Sequence, residues 1–340
     1  MPHRNIPIFI PHLGCPNQCV FCNQRSISGC ESFDEASVDR QIEQALSTIG
    51  SDTETEIAFF GGSFTGIDRA LMLRLLDTAQ RYVDSGRVSS VRLSTRPDYI
   101  NDEILTTLSR YSVKTIELGL QSMDDRVLAA TKRGHSAKQA EDACRAVVRA
   151  GFSLVGQMMI GLPESDLQAE LATAEKICAL GASAARIYPT VVFYDTPLCR
   201  MAQDEHYEPL SIEQATVRAA SALRVFLSHD VACIRIGLCA SESLSSDEAV
   251  YAGPNHPALG ELVWNEYYYG QILDALEHAG LSGKRAILAI GRGTCSKVIG
   301  QRRANLLRLE RETSTRIERV VEREDLRGVV ALPYHIDKKQ

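Results

Sequence analysis

The sequence predicts an α/β fold: a partial, TIM-like (β/α)6 barrel followed by a small α+β C-terminal domain. Two observations predict it. Short, β-branched-rich apolar runs recur six times before residue 190, and the stretches between them carry apolar residues three or four apart. Strand–helix alternation of that kind implies a parallel sheet with right-handed crossovers. Six units are fewer than the eight that close a complete barrel, so the sheet is expected to stay open.

The strands in order are IPIFI near the N-terminus, EIAFF at 56–60, SVRLST at 90–95, TIELG at 115–119, SLVGQMMI at 153–160 and AARIYP at 184–189. Helical spacing runs from Ala36 to Ile49, Arg69 to Val83, Ile104 to Leu108, Ala137 to Ala150 and Leu167 to Leu180. Reactive groups are expected where the strands end, at the C-terminal rim of the barrel. After PTVVFYDTPL the pattern changes. A helix from about Ile212 to Ser228 leads to a run CIRIGL at 233–238, a Ser/Gly/Pro-rich loop at 241–257, a helical stretch near Tyr269–Ala279 and a strand–loop–helix–strand unit from Arg285 to Val321. The barrel is therefore assigned to 1–240 and the small domain to 241–340.

At 340 residues and 44% apolar composition the chain can bury one large core with an appendage. Its apolar runs fall far short of the roughly 20 residues a membrane helix needs, and MPHRN does not open a signal peptide, so no membrane role and a cytoplasmic location are expected. A net charge of −6 argues against a generally nucleic-acid-coated protein. Between Lys284 and Arg319, however, ten Lys/Arg face three Asp/Glu, which leaves room for a local basic surface.

Ten cysteines suggest a disulfide framework only in a short secreted chain, and most of these stand alone in the sequence. Cys15, Cys19 and Cys22 do not: CPNQCVFC places them with three and two residues between them, directly after the first predicted strand. Three thiolates on one loop can ligate three irons of a 4Fe–4S cube and leave the fourth open to a small molecule. A zinc knuckle recruiting His12, or three incidental buried cysteines, are the competing readings, and Cys30 is a candidate fourth ligand.

The spacing resembles the radical S-adenosylmethionine superfamily. The resemblance implies a 4Fe–4S cluster on the three cysteines, S-adenosylmethionine at the open iron, reductive cleavage to a 5′-deoxyadenosyl radical, and a reductant such as flavodoxin or ferredoxin. It places Phe21 at the aromatic position beside the last cysteine, whose neighbouring backbone contacts adenine. FFGGSFTG resembles the family's GGE-type motif, in which Gly61 and Gly62 let the methionine end approach the backbone and Ser63 stands where an acidic residue often does.

LSTRPDYI, IELGLQSMDD, KRGHS, RAGFSLVGQMMIGLPES and RIYPTVVFYDTPL together resemble the radical domain of the Elongator catalytic subunit, from about residue 7 to 240. By position, that likeness implies that Thr95, Gln121 and Arg133 line the S-adenosylmethionine pocket and that Met159 packs near adenine. Each also has an ordinary reading: strand-end hydrogen bonders for Thr95 and Gln121, a solvated helix residue for Arg133, core for Met159. The segments after the barrel do not look like an acetyltransferase, so acetyl-coenzyme A chemistry is not expected to carry over. RNA, tRNA first, is the implied substrate. Two rivals remain: a small-molecule oxidoreductase resembling the oxygen-independent coproporphyrinogen oxidases, and a noncatalytic iron–sulfur protein associated with RNA.

SKVIGQRRANLLRLERETSTRIERV at 296–320 runs in the order of a KH RNA-binding module, whose GxxG loop clamps a nucleic-acid backbone. Arg303 replaces the second glycine. A charged surface helix is the plainer alternative. His256 is read as a loop histidine with no catalytic role.

Overall fold

The computed structural model describes residues 3–10, 13–15, 19–23, 33–50, 52–238 and 249–334. Seven strands form one parallel sheet in the order β1(His3–Ile10), β2(Glu54–Gly61), β3(Ser90–Thr95), β4(Val113–Gln121), β5(Ser153–Ile160), β6(Ala184–Pro189), β8(Ala232–Ile236). Each next strand lies beside the last, as right-handed βα units demand, except that β7(Val192–Phe193) leaves the sheet. CIRIGL, which the sequence left outside the barrel repeat, supplies β8, the seventh parallel strand, paired with β6.

The helices are α1(Val38–Leu46), α2(Arg69–Asp84), α3(Asp102–Leu108), α4(Asp125–Ala130), α5(Ala137–Arg149), α6(Leu167–Ala179), α7(Pro197–Gln203), α8(Ile212–Ser228) and α9(Leu259–His278). Their starts are written locally. Asp68, Asn101 and Asp166 cap α2, α3 and α6 with side-chain oxygens, and Ser136/Gln139 and Ser211/Gln214 form capping boxes at α5 and α8. α9 begins ten residues before the expected Tyr269, because Trp264 and Tyr267 find apolar partners on both sides of the helix.

The main core lies between the helices and one face of the sheet. Ile6, Ile8 and Ile10 of β1, Ile57 and Phe59 of β2, Leu93 of β3 and Ile116, Leu118 and Leu120 of β4 pack there against Leu75, Leu76, Val147, Ile177 and Phe226. Alternate residues must then face the other way, into the barrel. These are Glu56, Arg92, Glu117, Gln157 and Arg186, and they join one another in a layer of ion pairs and hydrogen bonds across β2 to β6. The sheet is thus apolar outside and polar within.

The C-terminal unit has its own core, with Tyr269, Ile272, Leu288, Val298 and Leu309 buried. Its sheet runs β11(Arg316–Arg323), β10(Arg285–Gly291), β12(Val329–Pro333), with β10 parallel to β11 and antiparallel to β12. Between β10 and β11 come α10(Cys295–Ile299), a turn at 300–303 and α11(Ala304–Thr313). Among the described residues no helix is long and apolar enough to cross a membrane. β9(Val250–Ala252) pairs with β7 at the barrel rim, within the expected 241–257 loop; residues 241–248 lie outside the described residues.

Candidate active site

The cysteine loop joins the C-terminal end of β1 to the rest of the barrel rim. Gly62 N donates to Ile10 O at 2.8 Å and Ser63 N to Leu13 O at 3.0 Å, so the turn after β2 is tied to the loop backbone. A Cβ on Gly62 would stand 2.0 Å from Leu13 O, and one on Gly14, whose φ is +73°, 2.2 Å from Ser63 O. Two side-chain-free positions interlock here. On the loop's far side Val20 N donates to Thr131 O at 3.1 Å, and Leu198 N donates to Val20 O at 2.9 Å. Val20 is buried with Val192, Leu198 and Cys199, and Phe21 packs against the same group.

Two guanidinium groups converge on Cys19. Arg133 Nη1 lies 3.5 Å from its sulfur and Arg96 Nη1 4.0 Å. Arg96 is fixed by Asp98, at 2.9 and 3.0 Å, and donates to Arg133 O at 2.6 Å; Arg133 Nη2 donates to Gly119 O at 2.7 Å. Burial pushes the Cys15 thiol above its ordinary value, against the pull of the Arg133 and Arg96 charges. Burial also drives His135, followed by the nearby charge of Arg133, down to about 4, so its ring is neutral at pH 7.

The remaining sequence-predicted residues divide between two environments. Ser63 and Thr95 are buried on the helix side of the rim, where Thr95 Oγ1 shares hydrogen bonds with Ser63 Oγ at 2.8 Å and Thr65 Oγ1 at 2.7 Å. Both hydroxyls are thus engaged in joining β2 to β3. Gln121 ends β4 with φ +66°, after a bulge, and its Oε1 is buried without a partner. Arg133 Nε and His135 Nε2 are likewise buried and unpartnered. Met159 is half-buried near the end of β5, opposite Tyr188 in register. Cys30 and His12 lie outside the described residues, as do residues 16–18 of the loop.

Cys15, Cys19 and Cys22 form no disulfide, and among the described residues no three His, Cys, Asp or Glu side chains stand close enough together to hold a metal ion. Ligation therefore requires the three thiols of this loop to turn toward one another. The surroundings suit a thiolate-held cluster and a polar ligand: sulfur donors on one loop, two guanidinium charges beside them, and orphaned Gln121 Oε1 and Arg133 Nε at the rim. Arg96 and Asp98 were missed as site residues. Their signal was an Arg–Pro–Asp sequence directly after a strand.

A family model for the radical SAM superfamily matches residues 9–175, and one for the radical SAM C-terminal domain matches 182–268. The chain belongs to the radical SAM superfamily. It is a radical SAM enzyme, and the family implies a 4Fe–4S cluster and S-adenosylmethionine. Among curated relatives it is 28% identical over 221 residues to an uncharacterized protein of Methanocaldococcus jannaschii, covering 62% of this chain and 67% of that one. It is 24% identical over 242 residues to a tRNA uridine(34) acetyltransferase of Methanocaldococcus infernus, covering 59% of this chain and 45% of that enzyme. In structure it matches the archaeal Elp3 of Methanocaldococcus infernus with a TM-score of 0.60 at 19% identity, over 82% of this chain and 63% of that one. The barrel of this radical SAM enzyme is therefore the half-open form that the sequence predicted, with one strand more.

Proposed function

We propose that this enzyme modifies RNA, tRNA in the first instance, with a 4Fe–4S cluster held by Cys15, Cys19 and Cys22. Bound there, the cluster would supply the electron that cleaves S-adenosylmethionine to a 5′-deoxyadenosyl radical, drawn from a donor such as flavodoxin or ferredoxin. The chain's own residues have three tasks. Arg133 and Arg96 offset thiolate charge. Gln121 offers its orphaned oxygen to the donor groups of S-adenosylmethionine, with Met159 and the backbone beside Phe21 toward adenine. The helix-covered sheet excludes water beneath them.

The observation that carries the RNA reading is the loop 300–303. It joins α10 to α11 in a strand–helix–helix–strand order, and both Arg302 (φ +53°, ψ +30°) and Arg303 (φ +65°, ψ +26°) are left-handed. The loop thus keeps a backbone that glycine adopts freely, at the position of a KH clamp, while presenting two exposed cations. Arg285, Arg292, Arg308, Arg311 and Arg316 are engaged by carboxylates, and Lys297 lies over the Trp264 ring. Among the described residues Arg302 and Arg303 have no such partner. The similarity to two archaeal tRNA uridine(34) acetyltransferases supports the same reading.

The test is anaerobic reconstitution followed by two assays. About four irons per chain and release of 5′-deoxyadenosine are expected, with Cys19→Ala losing both. tRNA should bind with an affinity that falls steeply as salt rises, and Arg302→Glu with Arg303→Glu should weaken it. A colourless, zinc-loaded protein overturns the cluster. Binding of tRNA no tighter than that of unrelated acidic proteins at low salt overturns the RNA reading and favours a small-molecule substrate.

A further inference from the structure

Among the described residues the inner wall of the barrel carries more positive charge than its carboxylates neutralise. Glu117, fully buried, accepts from Arg92 Nη1 at 3.0 Å, Arg186 Nη2 at 2.8 Å and Gln157 Nε2 at 2.9 Å. Glu56 accepts from Arg92 Nε at 2.9 Å, Ser90 at 2.6 Å and His3 at 2.8 Å. Two carboxylates thereby match Arg92 and Arg186. A third guanidinium, Arg235 on β8, stands in register beside Arg186, and its Nε donates to Gly237 O at 3.3 Å. Among the described residues no carboxylate pairs with it. Neighbouring strands are only about 4.8 Å apart, so like charges in register repel unless something negative lies between or above them.

Arg186 itself is incompletely satisfied. Its side chain is 10% exposed, its Cζ lies 5.3 Å from the Phe60 ring centroid across the barrel, and its Nε is buried with no partner. Leaving such a donor unmet is unfavourable, and more so for a charged group. Arg186 Nη1 also reaches Tyr188 Oη at 3.4 Å, and burial holds that phenol above its ordinary value, so it remains protonated and able to donate. One orphaned N–H, one unneutralised guanidinium and one hydroxyl share a wall below the rim. From the site, the path to that wall follows β4: Cys19 to Arg133, Arg133 to Gly119 O, and two residues on, Glu117 to Arg186.

We infer that Arg186, Tyr188 and Arg235 form a binding site for an anionic oxygen group of the substrate, a phosphate or a carboxylate, held inside the barrel beneath the cysteine loop. The inference rests on the proposed function, with the reaction at the cysteine loop on the rim, and it adds the substrate's charge. A nucleotide phosphate and the carboxylate of a small co-substrate share this chemistry.

Isothermal titration of the full-length, reconstituted protein with inorganic phosphate, and separately with acetate, distinguishes them. Saturable binding of at least one anion is expected; preference for phosphate points to a nucleotide and preference for acetate to a carboxylate-bearing co-substrate. Arg235→Gln should weaken that binding about tenfold and Arg235→Lys by less, with iron content and melting temperature unchanged. Arg186→Gln alone strips a partner from Glu117 and endangers the fold, so it is paired with Glu117→Gln; the double variant should also lose the anion. Arg302→Glu with Arg303→Glu, at the far basic loop, should leave it bound. Equal binding by the unaltered protein and Arg235→Gln, or no binding of either anion by iron-loaded protein, overturns the inference. Anion binding that depends on Arg235 in a protein taking up no iron would leave this site standing and the proposed reaction refuted.

Discussion

Arg133 holds Cys19 to β4: one terminal nitrogen lies 3.5 Å from the cysteine sulfur and the other donates to Gly119 O at 2.7 Å. A single buried guanidinium therefore fixes the cysteine loop and places positive charge where a thiolate is needed. Arg133→Gln should speed the loss of iron to a chelator by about tenfold to a hundredfold, the range set by about 1.5–3 kcal/mol for a hydrogen bond to a charged group. Arg133→Lys should lose less. Unchanged iron release in both would show that the contact is incidental.

Gly62 separates two roles. A cofactor-approach role alone predicts that a side chain there blocks S-adenosylmethionine and spares the cluster. With Leu13 O only 2.0 Å from a new Cβ, the cysteine loop itself must move. Gly62→Ala should therefore lower iron uptake as well as S-adenosylmethionine affinity, and iron analysis beside equilibrium binding reads both. Full iron with lost cofactor affinity would assign the glycine to the cofactor alone.

His135 predicts acid sensitivity. Its folded-state value near 4 lies below the ordinary 6.5, so the unfolded chain takes up the proton first. The stability is complete above about pH 6.5 and is lost as pH falls toward 4, by about 3 kcal/mol at most. Denaturant midpoints across that window should fall less steeply in His135→Gln. Parallel curves for the two proteins would assign the acid loss to other groups.

Glu117 is the common acceptor for Arg92 and Arg186 at the centre of the barrel. Glu117→Leu removes the charge both face in a buried setting and should destabilise by about 3–5 kcal/mol, read from urea unfolding. Glu117→Gln should cost less, because it retains hydrogen-bonding oxygen. Near-neutral unfolding of Glu117→Leu would mean that solvent already reaches the pair.

Arg303 occupies a left-handed conformation that costs a non-glycine residue about 1 kcal/mol or more. Arg303→Gly should raise stability by about 0.5–1 kcal/mol while weakening tRNA binding through lost charge. A variant that is both less stable and a tighter binder would contradict the assignment of this loop.

Much of this architecture was legible because it is written in local chemistry. The strand–helix alternation and the cysteine spacing are short-range features, and they are read without knowledge of neighbours. The boundaries of α8 were legible for that reason. The seventh strand was not, because CIRIGL reads as an isolated run until β6 lies beside it. Arg92, Glu117 and Arg186 did leave a trace in the sequence, as charges at alternate positions in strands that an ordinary parallel sheet would keep apolar.

What the sequence by itself determined is the family chemistry: three thiols in one loop after a strand, glycines after the next, and a basic segment near the C-terminus. Only the tertiary structure decided which charges meet. Arg96 and Arg133 approach Cys19 from 77 and 114 residues away, and Arg186 reaches Glu117 across 69 residues. Contacts of that separation depend on strand order and on which face of the sheet each residue takes, quantities that no local pattern encodes.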